Sequence, residues 1–157
     1  MAVRILIYGF GNPGRGDDGL GIRLAQAIEN EAPRFDGLEI RVESNYQLNI
    51  EDALALSETE VVVFCDASEE GWEPFDFNEI FPSREIAFTT HAMAPAAVLA
   101  LCEELYGRRP KAYLLAIRGY EWEIKEELSE RAAGTLASTL GFLQGFLAGL
   151  AKQAETG

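Results

Sequence analysis

The segment Val61-Val62-Val63-Phe64-Cys65 runs through five apolar residues without a polar one and stops at Asp66. Successive side chains of a strand point to opposite faces, so a run with no polar member has neither face to offer to water. A chain that folds around it must cover its sheet on both sides. That requirement predicts the central strand of a parallel sheet inside three layers. Other segments supply the neighbours. Val3-Arg4-Ile5-Leu6-Ile7-Tyr8 is a second apolar strand, Leu38-Glu39-Ile40-Arg41-Val42 alternates with period two, and Lys111 to Ile117 is another candidate, with a shorter one over Glu85 to Thr89. Between them lie helical stripes: Leu20, Leu24 and Ile28; Val98, Leu101 and Leu105; and a long one through Leu136, Leu140, Leu143, Leu147 and Leu150. Strand and helix in alternation predict an α/β three-layer sandwich on a twisted, mostly parallel sheet of about five strands. The 157 residues suit one domain, 1–157, with no repeat or linker. Gly107-Arg108-Arg109-Pro110 reads as a helix-to-strand turn, and Gln153 to Gly157 is expected to fray.

The first strand runs into Gly9-Phe10-Gly11-Asn12-Pro13-Gly14-Arg15-Gly16-Asp17-Asp18-Gly19. Gly9-x-Gly11-x-x-Gly14 matches the dinucleotide fingerprint, whose glycines let backbone approach a pyrophosphate at a helix N-terminus. Asp17 and Asp18 oppose that reading, because they stand where the phosphate charge would lie, and no acid about 20 residues on stands at the end of a second strand to take a ribose. Charge points the same way. With 26 acidic and 13 basic residues the net charge is −13, which repels nucleic acid and anionic membranes and favours cations and metal ions. Cys65 and Cys102 fit neither a disulfide framework nor a zinc ligand set. The first residues hold no apolar stretch of signal-peptide length, and no run of about 20 apolar residues suggests a membrane span, so a cytoplasmic protein is expected.

In open sheets of this kind the ligand crevice lies outside the carboxyl ends of the strands. Three strands deliver chemistry there: the first into Asp17 and Asp18, the Val61 strand into Asp66, and the Ile86 strand into Thr89-Thr90-His91, the only histidine of the chain. An imidazole with two carboxylates is a mixed N/O set for a borderline divalent ion, and three protein ligands leave positions open for substrate or water. Each residue also has a plainer role open to it. Either acid of the pair could cap the following helix, Asp66 could be a turn residue, and His91 a structural histidine. Cys65 should face away from Asp66, into the core. No G-x-S-x-G elbow, H-E-x-x-H helix or G-K-[ST] loop is present, and a dinuclear site would need more ligands than these.

The pattern from Gly9 to Gly21, with Asn12 and the pair Asp17-Asp18, resembles the opening signature of the [NiFe]-hydrogenase maturation endopeptidases. The apolar strand ending in Asp66-Ala67, and Thr89-Thr90-His91-Ala92-Met93, are similar to the family's other two signature segments, in the same order. The likeness covers the chain from Met1 to about Leu150. It implies an enzyme that removes the C-terminal extension of a nickel-loaded large-subunit precursor, recognising it through nickel already bound in the substrate. It places the metal-contacting and catalytic positions on Asp18, Asp66 and His91, and makes Asp17 a turn or capping residue beside the site. It also implies a monomer that carries no tightly bound metal of its own. Where many relatives have an acidic-Gly-Gly turn, this chain reads Glu43-Ser44-Asn45-Tyr46-Gln47-Leu48, closer to the subgroup serving bidirectional, cytoplasmic hydrogenases. Two other functions remain open: a non-enzymatic nickel chaperone or sensor using the same three ligands, and a nucleotide-binding domain built on the glycine loop.

Overall fold

A computed structural model of the protein describes residues 2–84 and 93–156. Five strands form one sheet: β1 (Val3–Phe10), β2 (Leu38–Asn45), β3 (Val61–Ser68), β4 (Phe75–Ile80) and β5 (Lys111–Arg118). Their spatial order is β2-β1-β3-β5-β4, all parallel except β4, which runs antiparallel to β5 at one edge. Four α-helices cover it: α1 (Leu20–Glu29), α2 (Asp52–Ser57), α3 (Pro95–Tyr106) and α4 (Glu130–Thr156).

The apolar run of β3 does what its composition requires. Val61, Val63 and Cys65 join Ile5, Ile7, Leu115 and Ile117 in one core, where Leu20, Leu24 and Ile28 of α1 and Leu143 and Leu147 of α4 also pack. Val62 and Phe64 join Leu6, Tyr8 and Ala112 in the opposite core, with Ala53 and Leu56 of α2 and Val98, Leu99 and Cys102 of α3. Period-two alternation therefore splits β1, β3 and β5 between two cores, and Asp66 continues the row of Val62 and Phe64.

Two elements were not visible in the sequence. Helix α2 is under two turns long and carries no periodic stripe; Ala53 and Leu56 bury it, and Asp52 fastens its start by accepting the Tyr8 hydroxyl at 2.9 Å and the Asn49 N–H at 2.7 Å. Strand β4 has only Phe75 and Phe77 to mark it, separated by Asp76. Their partners come from far along the chain, with ring centroids 4.7 Å (Phe75–Phe142), 4.9 Å (Phe77–Tyr113) and 5.1 Å (Phe77–Phe146) apart. The expected strand over Glu85 to Thr89 lies outside the described residues. Helix α4 continues to Thr156, which corrects the expected fraying from Gln153. It is also the one helix among the described residues that is long and apolar enough to cross a membrane, at mean hydropathy 1.3, although it contains no unbroken run of about 20 apolar residues. Its leucine stripe packs against the sheet.

Close approach of α1 to the sheet positions the glycine loop. A Cβ on Gly21 would overlap the Cys65 carbonyl oxygen of β3, and one on Gly9 would overlap the Gly21 oxygen. Two of the motif's glycines are thus there for helix-on-sheet contact.

Candidate functional site at the sheet switch point

From β1 the chain crosses to β2 on one side and then returns to β3 on the other. The carboxyl ends of β1 and β3 therefore flank the switch point, where open α/β sheets form their crevice. The loop after β1 carries Asp18 and the end of β3 carries Asp66. Strand β3 extends to Ser68, so Asp66 is a strand residue paired with Ala116 and not a turn residue.

Asn12 builds the loop. Its side-chain oxygen accepts the Gly14 N–H at 2.8 Å, its carbonyl accepts that of Arg15 at 3.1 Å, and its own N–H donates to Asp18 Oδ2 at 2.7 Å. Gly11, at φ 136°, lies so close to the Asp18 carbonyl that no side chain fits. The Asp18 carboxylate is thus oriented from the backbone. Neither it nor Asp17 caps α1, whose first turn receives no side-chain hydrogen bond.

The same hydrogen bonds decide the nucleotide reading. The N–H groups of Gly11, Asn12, Gly14, Arg15, Gly16, Asp17 and Asp18 donate to Asn45 O, Asp18 Oδ2, Asn12 Oδ1, Asn12 O, Lys125 O, Glu121 O and Arg15 O. Pro13 has no N–H. A phosphate cradle needs free amides, and the described loop has none left from Gly11 to Asp18.

Asp66 has a perturbed acidity. Burial is the main cause, the nearby Asp18 carboxylate adds repulsion, and the Ala67 N–H at 2.9 Å from Oδ1 only partly offsets them, leaving the carboxyl pushed up to about 7. A carboxyl titrating near neutrality can give or take a proton, and a cation would ionise it. Cys65, behind it, is fully buried in the core, and burial with the Asp66 charge pushes its thiol far up, which disqualifies it as a nucleophile.

Asp17 is fully buried and faces the interior. Its Oδ2 accepts the N–H of Tyr120 at 2.7 Å, the N–H of Glu121 at 2.9 Å and the Ser129 hydroxyl at 2.7 Å, and its Oδ1 accepts the Ser129 N–H at 2.8 Å. Burial works to raise its pKa, but these donors outweigh burial and hold the carboxyl below the usual carboxylate range. Ser129 also caps α4, its Oγ accepting the Ala132 N–H at 3.1 Å. Sequence reading found Asp17 and missed its partners. Tyr120, Glu121 and Ser129 are more than a hundred residues away, and three of the four donors are backbone N–H groups that almost any residue would supply.

Asp18 and Asp66 are brought together, close enough for one charge to act on the other; His91, the third expected ligand, lies outside the described residues. Among the described residues no group of three His, Cys, Asp or Glu side chains converges as a metal site.

Solved structures share this five-stranded, three-layer α/β architecture. Among similar solved structures are the [NiFe] hydrogenase maturation protease HycI from Thermococcus kodakarensis KOD1, 22% identical over 92% of each chain with a TM-score of 0.70, and the hydrogenase maturating endopeptidase HybD from E. coli, 20% identical over 92% of each chain with a TM-score of 0.68. A hydrogenase 2 maturation peptidase from Thaumarchaeota archaeon SCGC_AB-539-E09 is 20% identical over 92% of this chain and 97% of its own, at a TM-score of 0.64. The chain has the fold of these hydrogenase maturation proteases. No family model matches it, and neither does any curated protein.

Proposed function

We propose that this protein is an endopeptidase that removes the C-terminal extension of a [NiFe]-hydrogenase large-subunit precursor, and that nickel held in the substrate is what it recognises. The observation that carries the reading is the pairing of Asp18 with Asp66 at the switch point of a fold shared, over nearly its whole length, with hydrogenase maturation proteases. The occupied amides of the glycine loop favour it over a nucleotide site.

The two acids suit different tasks. Asp18, fixed by the Asn12 N–H, offers a pre-oriented carboxylate to a cation on the docked precursor. Asp66, with its raised pKa, suits a general base that takes a proton from the attacking water and passes it to the leaving amine. His91 would be the nitrogen ligand that completes the set. Since the metal arrives with the substrate, the isolated protein should fold without it and act in the cytoplasm as a monomer.

The test is incubation of purified nickel-loaded precursor with the wild type and with Asp18→Asn, Asp66→Asn and His91→Ala, following C-terminal mass. Each variant should stay folded and leave the tail in place. Wild-type cleavage by all three would overturn the site assignment, and tight nickel binding by a wild type that cleaves nothing would move the reading to a chaperone or sensor.

A further inference from the structure

The chain buries one carboxylate beside the site and points it away from any substrate. Asp17 adjoins Asp18, yet its four donors all come from the segment that joins β5 to α4. Backbone bonds double the connection: Asp17 N–H to Glu121 O at 2.9 Å, Gly16 N–H to Lys125 O at 2.7 Å, and Lys125 N–H to Gly14 O at 3.0 Å. A Cβ on Gly119 would stand 2.8 Å from the Asp17 Cβ, so the two backbones are in close contact. The loop itself has little else to hold it. Between Gly11 and Gly19 it contains two further glycines and a proline but no large apolar anchor, and its internal bonds are those made by Asn12, Arg15 and Asp18.

We propose that Asp17 is a positioning residue for the reaction: its buried carboxylate clamps the Gly14–Asp18 turn to residues 119–129 and to the cap of α4, and thereby sets where the Asp18 carboxylate stands relative to Asp66. The assignment rests on the role given to Asp18 under the proposed function. The clamp is directional. Both Asp17 oxygens act only as acceptors, and an amide in their place would set its NH2 against a donor, Ser129 N–H or the cluster at Oδ2, whichever way it is turned. The turn would then have to shift, and a displacement near 1 Å at a reacting group can cost on the order of a hundredfold in rate.

The test compares Asp17→Asn and Ser129→Ala with wild type, at a temperature where circular dichroism shows all three fully folded. On nickel-loaded precursor, kcat should fall about tenfold to a hundredfold in Asp17→Asn and less in Ser129→Ala, with KM nearly unchanged because the docking surface is intact. A merely structural role would lower the melting temperature and leave kcat at its wild-type value, and that result would overturn the proposal. Titration of the isolated proteins with Ni2+ alone, followed by amide chemical shifts, gives a readout independent of turnover. The Asn12 and Asp18 amides should start from displaced positions in Asp17→Asn and respond more weakly to the ion; wild-type shifts and response would again overturn the clamp. If the wild type cleaves no precursor while the Asn12 and Asp18 amides are displaced as expected, the proposed function fails and the clamp stands.

Discussion

Replacing Gly21 with Ala should separate α1 from the sheet. The new Cβ would lie within the surface of the Cys65 carbonyl oxygen, 2.8 Å from its carbon and 3.0 Å from the Phe10 oxygen. Both obstacles are backbone of the central strands β1 and β3, so no rotamer change relieves the overlap, and the helix must retreat by about 1 Å to reach ordinary contact. That retreat loosens Leu20, Leu24 and Ile28, all fully buried beneath α1, and a gap of this size forfeits roughly a quarter to a half of each dispersion contact it opens. Overpacking of this kind costs about 1–3 kcal/mol, and rigid backbone on both sides puts this site at the upper end, about 3 kcal/mol. At about 2–4 °C per kcal/mol for a domain of this size, the melting temperature should fall by about 6–12 °C. Gly145→Ala is the matched control. It lies in α4 with no heavy atom within 4 Å of an added Cβ, so the change should stabilise by about 0.5–1 kcal/mol through helix propensity. Differential scanning calorimetry of both variants decides the matter. A Gly21→Ala protein melting within a degree of wild type would refute the reasoning that these glycines exist for close helix-on-sheet approach.

Asp66 should make stability depend on pH in the direction opposite to an ordinary salt-bridged acid. Its folded value of about 7 exceeds the unfolded 3.8, so its contribution is full below about pH 4 and is lost as the pH rises through 7. With chelator present, Asp66→Asn should be more stable than wild type at pH 8 by about 2 kcal/mol, below the ceiling of about 4 kcal/mol set by three pK units, and the gap in denaturant midpoint should close by pH 4. Tyr8→Phe removes the hydroxyl that fastens α2 to β1 through Asp52, and chemical denaturation should register a loss of about 1 kcal/mol. Phe77→Ala empties the space shared with Tyr113, Phe142 and Phe146 and should cost about 3 kcal/mol, with β4 losing amide protection first.

The three-layer sheet was legible because unbroken apolar runs such as Val61 to Cys65 and leucine stripes such as Leu136 to Leu150 are local signals with one structural solution. Strand β4 and helix α2 were not, because what holds them is distant: Phe142 and Phe146 for one, Tyr8 for the other. The site shows the same division. Strand ends located Asp18 and Asp66, since the sheet rule needs only the order of elements. Only the family resemblance, and not two adjacent identical letters, assigned Asp17 and Asp18 separate duties. They follow from the opposite directions the side chains take, one toward Ser129 in the interior and the other toward Asn12 at the crevice. The fingerprint Gly9-x-Gly11-x-x-Gly14 is ambiguous for a related reason: a motif records where backbone must come close and not what it approaches, here Gly21 and Asp18 and not a pyrophosphate.

Recognition through substrate nickel is tested most directly by incubating the wild-type protein with matched hydrogenase precursors, one loaded with nickel and one free of it, and weighing each precursor afterwards by mass spectrometry. The nickel-loaded precursor should lose the mass of its C-terminal extension, and the nickel-free precursor should stay intact under the same conditions. Cleavage of both at equal rates would contradict recognition through substrate nickel, and cleavage of neither would contradict the assignment of a protease.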